Sequence, residues 1–168
     1  MHTPRSFVVL LTYLSVLLAT CSVTAQNTQI NSDYFLLRGV ERYEYGDKAG
    51  AREDFERLLA FDPRCAEAYY NRGVLNYEQQ EWEHARNDFD QALRLNPNYA
   101  AALIKRGNVH FVQQKFEAAF ADYTEALRAD PKSYLALNNR GLVRQRTGDM
   151  SAALKDYQQA LEIDKSNV

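Results

Sequence analysis

The chain has 168 residues, 46 % of them apolar and 12 % aromatic, enough for one folded domain with a continuous core. Its net charge is −2 and its basic and acidic residues are interleaved, so it lacks the electrostatic footprint of a DNA- or RNA-binding protein. Two cysteines, Cys21 and Cys65, cannot make a disulfide framework.

The first 25 residues differ from the rest. Arg5 is their only charged residue, and Phe7 to Ala19 is an almost unbroken apolar run. A membrane-spanning helix needs roughly 20 such residues, so the run has the length of a signal-peptide core instead. Val23-Thr24-Ala25 puts small residues where a signal peptidase reads. The expected division is a signal peptide over 1–25 and a short linker over 26–31. Two other readings stay open. One is an uncleaved membrane anchor. The other is lipid attachment at Cys21, because Leu18-Ala19-Thr20-Cys21 resembles a bacterial lipoprotein box, with Thr20 where Gly, Ala or Ser is usual. All three predict an exported protein, periplasmic or secreted, and only the last two hold it at a membrane.

From Ser32 onward one 34-residue pattern runs four times without insertion, over 32–65, 66–99, 100–133 and 134–167. A fixed period of this length marks a stacked repeat protein, whose units bury their apolar faces only against one another. In the second copy, Tyr69, Gly73, Asn76 and Tyr77 recur at helical spacing and predict a first helix of about 14 residues. Gln80-Glu81 turns the chain, and Trp82, Ala85, Phe89, Ala92 and Leu93 stripe a second helix. Asn96-Pro97 stops it, as Asp62-Pro63 and Asp130-Pro131 do in the neighbouring copies. Gly39, Gly73, Gly107 and Gly141 each fall mid-helix, where glycine costs about 1 kcal/mol relative to alanine. The expected reason is a close helix crossing, with Ala51, Ala85, Ala119 and Ala153 as the facing small residues.

The set of a bulky residue (Phe35, Tyr69, Leu103, Leu137), the four glycines, the four alanines, an aromatic (Phe55, Phe89, Tyr123, Tyr157) and three prolines resembles the tetratricopeptide repeat (TPR) family. The resemblance covers 32–167 and implies an all-α, right-handed superhelical solenoid of four helix-turn-helix units. Two departures stand out. Arg42, Asn76, His110 and Arg144 occupy the position where the family usually has tyrosine, which predicts softer or wetter packing there. Arg38, Arg72, Arg106 and Arg140 precede the glycines, and Asp54, Asp88, Asp122 and Asp156 precede the aromatics. These predict an Arg–Asp ladder between helices, favouring Asp54 with Arg72, Asp88 with Arg106 and Asp122 with Arg140.

The resemblance also implies a concave groove lined by first helices. Carried over by position, its peptide-binding residues are Leu36, Val40, Tyr43, Tyr70, Asn71, Val74, Tyr77, Ile104, Lys105, Asn108, Phe111, Asn138, Asn139 and Leu142. Rings supply contact area and amides suit a peptide backbone. The clamp that some TPR domains use on cytosolic chaperone tails is incomplete, because Leu36, Tyr70 and Ile104 stand at its cation position. Leu154, Tyr157, Leu161 and Ile163 on the last helix predict an apolar face that a second copy or a partner covers. Cys65 is expected as a small buried loop residue, with pairing to another chain in an oxidising compartment as the alternative. No catalytic constellation, phosphate loop or metal spacing is present in the sequence, and no cofactor is expected. The resulting expectation is a non-enzymatic adaptor that binds a protein or peptide, with a self-associating structural module as the alternative.

Overall fold

The computed structural model describes residues 32–165. The leader over 1–25, the linker over 26–31 and the lipidation candidate Cys21 lie outside the described residues. Helices are the only regular elements among the described residues: α1 (32–44), α2 (Lys48–Phe61), α3 (Ala66–Glu78), α4 (Trp82–Leu95), α5 (Ala100–Val112), α6 (Phe116–Ala129), α7 (Tyr134–Arg146) and α8 (Met150–Lys165). None of them is long and apolar enough to cross a membrane.

The chain divides after Pro63 into two compact units. In the first, α1 and α2 form one helical hairpin. Phe55 and Leu58 are fully buried in it, and Phe35 stacks on Phe61 with centroids 5.8 Å apart.

The second unit stacks three hairpins, α3–α4, α5–α6 and α7–α8. Each second helix also packs on the first helix of the next hairpin, α4 on α5 and α6 on α7. α5 touches both α3 and α7, whereas α4, α6 and α8 make no such contacts with one another. The first helices therefore form the tighter layer and the second helices the splayed one. Ala92, Leu93, Ala102, Leu103, Ala126 and Ala136 make the core where four helices meet. Smaller clusters at Phe89 and Val109, and at Tyr123 and Val143, close the successive hairpin seams.

The repeated glycines do lie at close crossings, but alanine is not what faces them. A Cβ at Gly73 would meet the Phe89 ring at 2.7 Å, and one at Gly107 would meet the Tyr123 ring at 2.6 Å. Gly39 and Gly141 stand in the same relation to Phe55 and Tyr157. Each glycine thus makes room for the aromatic edge of its own second helix. The alanines are buried, at 0–2 % exposure, within the hairpins.

The turns fall at one register. Gly46, Gln80, Gln114 and Gly148 all have positive φ, between 60° and 92°. Side-chain caps start two second helices, where Asp47 accepts from the Gly50 N–H at 2.9 Å and Asp149 from the Ala152 N–H at 3.1 Å.

Candidate functional site: the first-helix layer and its buried polar seam

The arginine–aspartate pattern forms in every hairpin, in a different order from the one expected. Each aspartate is taken by the arginine sixteen residues before it. Arg72 Nε and Nη2 donate to Asp88 at 3.0 and 2.6 Å, Arg106 to Asp122 at 3.0 and 2.6 Å, and Arg140 to Asp156 at 3.0 and 2.7 Å. In the first unit Arg38 does the same to Asp54, at 2.8 and 2.5 Å. So Asp88 pairs with Arg72 instead of Arg106, and Asp122 with Arg106 instead of Arg140. The reason is geometric, because the arginine on a first helix and the aspartate sixteen residues later on the second helix face each other across the same hairpin. One arginine–aspartate bond does tie successive hairpins: Arg106 Nη1 donates to Asp90 at 2.8 Å.

The second departure from the family pattern belongs to the same constellation. The side chain four residues after each arginine lies over the same carboxylate. Asn76 Nδ2 donates to Asp88 at 2.8 Å, and Arg42 and Arg144 reach Asp54 and Asp156 at 3.1 and 2.7 Å. His110 Nε2 lies 3.7 Å from Asp122. The expected soft packing is therefore replaced by a polar triad, in which a fork and a second polar side chain flank one aspartate. All four aspartates are buried, Asp54 completely. Hydrogen bonding to Arg38 holds the Asp54 carboxyl below the usual carboxylate range, against the opposing effect of burial. Burial dominates at His110 and pushes its pKa down, while Asp122 opposes it. Its Nδ1 is buried without a hydrogen-bond partner.

The groove residues fall on first helices and serve unequal roles. Within the first unit, Leu36, Val40 and Tyr43 are half-buried on α1. In the second, Tyr70 packs at 5.0 Å from Tyr99 and 6.1 Å from Phe89, and Val74 sits beside the Phe89 cluster. Tyr77 meets the Trp82 edge at 5.2 Å and lies 5.7 Å from the Lys105 ammonium. Ile104 joins two core clusters, and Phe111 meets Phe116 edge-on at 5.5 Å. Burial raises the pKa of Tyr70 and Tyr77, and that of Tyr99 to about 12, so their hydroxyls stay neutral donors.

The amides are partly engaged already. Asn108 Oδ1 accepts from Tyr123 Oη at 2.8 Å and from Asn139 Nδ2 at 3.0 Å, which links the second and third first helices of this unit. Asn71 and Leu142 are half-buried, and Asn138 is exposed. Sequence reasoning took these amides as donors and acceptors for a ligand, yet one of the pairs serves the repeat stack. Trp82, a core position by its periodicity, also shapes the layer through its ring beside Tyr77. Cys65 is half-buried instead of buried, at the start of α3, with its thiol 3.7 Å from the Glu67 carboxylate.

No group of His, Cys, Asp and Glu residues suited to hold a metal ion occurs among the described residues. What the layer offers is apolar and aromatic area, neutral hydroxyl donors and a few amides.

Comparison with known proteins agrees with this geometry. The family described as Tetratricopeptide repeat matches residues 36–100, 77–133 and 104–168. Among solved structures, one described as the crystal structure of MamA is 27 % identical, with a TM-score of 0.75 over 82 % of this chain and 80 % of that one. PilF of Pseudomonas aeruginosa is 20 % identical with a TM-score of 0.76, over 83 % of this chain and 64 % of that one. The first TPR of Spaghetti (RPAP3), bound to an HSP90 peptide, is 24 % identical with a TM-score of 0.68, over 70 % of this chain and 94 % of that one. No curated protein sequence matches the chain significantly.

Proposed function

This chain belongs to the tetratricopeptide repeat family, and we propose that it is a non-enzymatic adaptor outside the cytoplasm whose first-helix layer binds a peptide or helix of another protein. The observation that carries this reading is the side-by-side packing of α3, α5 and α7, which brings Tyr70, Tyr77, Lys105 and Asn138 onto one layer. The rings are held by packing, so little side-chain entropy is lost when a ligand settles on them. An acidic chaperone tail is a poor fit, because Tyr70 and Ile104 replace the cations that would grip its carboxylates. Export rests on the leader sequence alone.

The test is affinity capture from the native cell envelope with wild-type protein and with Tyr70→Ala and Tyr77→Ala, each checked for helicity. The expected outcome is one partner recovered by wild type and lost with both variants. Identical recovery with all three would refute groove binding. Mass spectrometry of the captured bait reads its amino terminus, where Gln26 is expected and a lipidated Cys21 would move the protein to the membrane.

A second reading, self-association, is favoured by α8, where Leu154 and Leu161 are 57 % and 53 % exposed.

A further inference from the structure

The two seams between hairpins in the 64–168 unit share one register but close differently. Where α4 meets α5, the Glu83 carboxylate accepts from Gln113 Nε2 at 3.0 Å and from Arg86 Nη2 at 2.9 Å. Thirty-four residues on, where α6 meets α7, Glu117 keeps the carboxylate, but Thr147 stands in Gln113's place and Phe120 in Arg86's. Thr147 turns its hydroxyl back onto the carbonyls of Val143 and Arg144, at 3.1 and 3.2 Å. Glu117 is thereby left with neither donor that its counterpart has. A cleft of about 350 Å³ opens there, bordered by Phe116, Phe120, Val143 and Thr147, with Glu117 and Asp149 beside them.

We infer that this cleft takes an arginine side chain from a partner protein. The seam between α4 and α5 shows what its carboxylate is built to accept: two N–H donors, one of them from a guanidinium. A single arginine supplies both in one planar fork. Its aliphatic stem and flat head suit a slot walled by two phenylalanines. Asp149 adds a second acidic group, using one oxygen on the Ala152 N–H. The cation already in the wall does not satisfy Glu117. Arg144 donates to Asp156 at 2.7 Å, and its guanidinium lies 5.4 Å from the Phe120 centroid. The site lies at the hairpin-turn edge of the unit and is separate from the groove reading.

The experiment uses the full chain and the tripeptide acetyl-Leu-Arg-Leu-amide, with its citrulline counterpart as the neutral isostere. Amide NMR shifts of Thr147, Gly148 and Asp149 report binding. The expected result is saturable shifts with the arginine peptide and about tenfold weaker ones with citrulline. Glu117→Gln, at an exposed position, weakens binding by about tenfold, and Thr147→Gln, which restores the reach of Gln113, abolishes it. The cleft is read at the Thr147, Gly148 and Asp149 amides and the groove by capture of the native partner, so failure here and failure of the groove reading are distinguishable. Equal shifts from both peptides, or shifts indifferent to Thr147→Gln, would overturn the inference. So would concentration-dependent shifts at these amides without peptide, which would make a second copy the occupant.

Discussion

At the scale of single residues, the aspartate that precedes each second-helix aromatic does the most to fix a hairpin. Asp122 is buried, at 6 % exposure, and faces Arg106 and His110 at once. Removing it strips the partly buried Arg106 guanidinium of its two-point partner and leaves it Asp90 alone, so Asp122→Ala should cost about 1.5 to 3 kcal/mol in urea unfolding. A loss below about 1 kcal/mol would mean that the pair is solvated in effect. His110 gives the same triad a pH dependence. Its folded pKa lies below the unfolded value of 6.5, chiefly through burial, with Arg106 and Lys115 adding and Asp122 and Asp90 opposing. As pH falls through 6.5, the unfolded chain takes up a proton that folded His110 resists, so this contribution is full above that pH and lost below it. Asn76 fills the equivalent slot, which makes His110→Asn a conservative probe. Melting temperatures measured from pH 7 down to pH 5 should fall more for wild type than for the variant. Parallel curves would exclude His110 as the titrating group.

At the scale of elements, the helices, their order and their stops were legible because each rests on local sequence: apolar periodicity, mid-helix glycines and the Asp-Pro or Asn-Pro ends. What was not legible is what sits across from what. Gly73 signals a close approach, but only the backbone geometry shows that the Phe89 ring, and not Ala85, fills the space. Arg72 and Asp88 signal a pair, yet a strict 34-residue period makes the pairing within a hairpin and the pairing with the next one look alike in sequence. The polar side chain at Asn76 read as a packing fault because its partner is twelve residues away in the chain. The turns show a further limit. Their register was clear, but not that it demands a left-handed residue, since glycine fills it only at Gly46 and Gly148. Gln114, at φ 60°, bears a cost of about 1 to 2 kcal/mol that glycine avoids. Gln114→Gly gives part of that back to chain entropy and should still stabilise the protein by about 0.5 to 1 kcal/mol. A lower melting temperature for this variant would show that the Gln114 side chain holds the turn.

At the scale of the whole molecule, the open question is which surface meets another protein, and magnitudes favour the first-helix layer over α8. Met150, Leu154 and Leu161 are 61 %, 57 % and 53 % exposed on α8. Their counterparts one repeat earlier, Phe116, Phe120 and Leu127, are half-buried where α7 packs on α6. Each α8 side chain is already partly out of solvent, so covering the rest is worth about 1 kcal/mol apiece, or roughly 6 kcal/mol for six in a two-fold pair. Lost translational and rotational freedom costs about 4 to 15 kcal/mol, which leaves little or nothing for a stable dimer. The protein should therefore sediment as a monomer at about 10 μM and associate only as its concentration approaches the millimolar range. Leu154→Lys with Leu161→Lys should abolish even that weak association, because it places like charges in the shared face. A nanomolar dimer that survives the double substitution would assign self-association to another surface. A nanomolar dimer that the double substitution disrupts would make α8 a dedicated interface and favour the structural module over the adaptor.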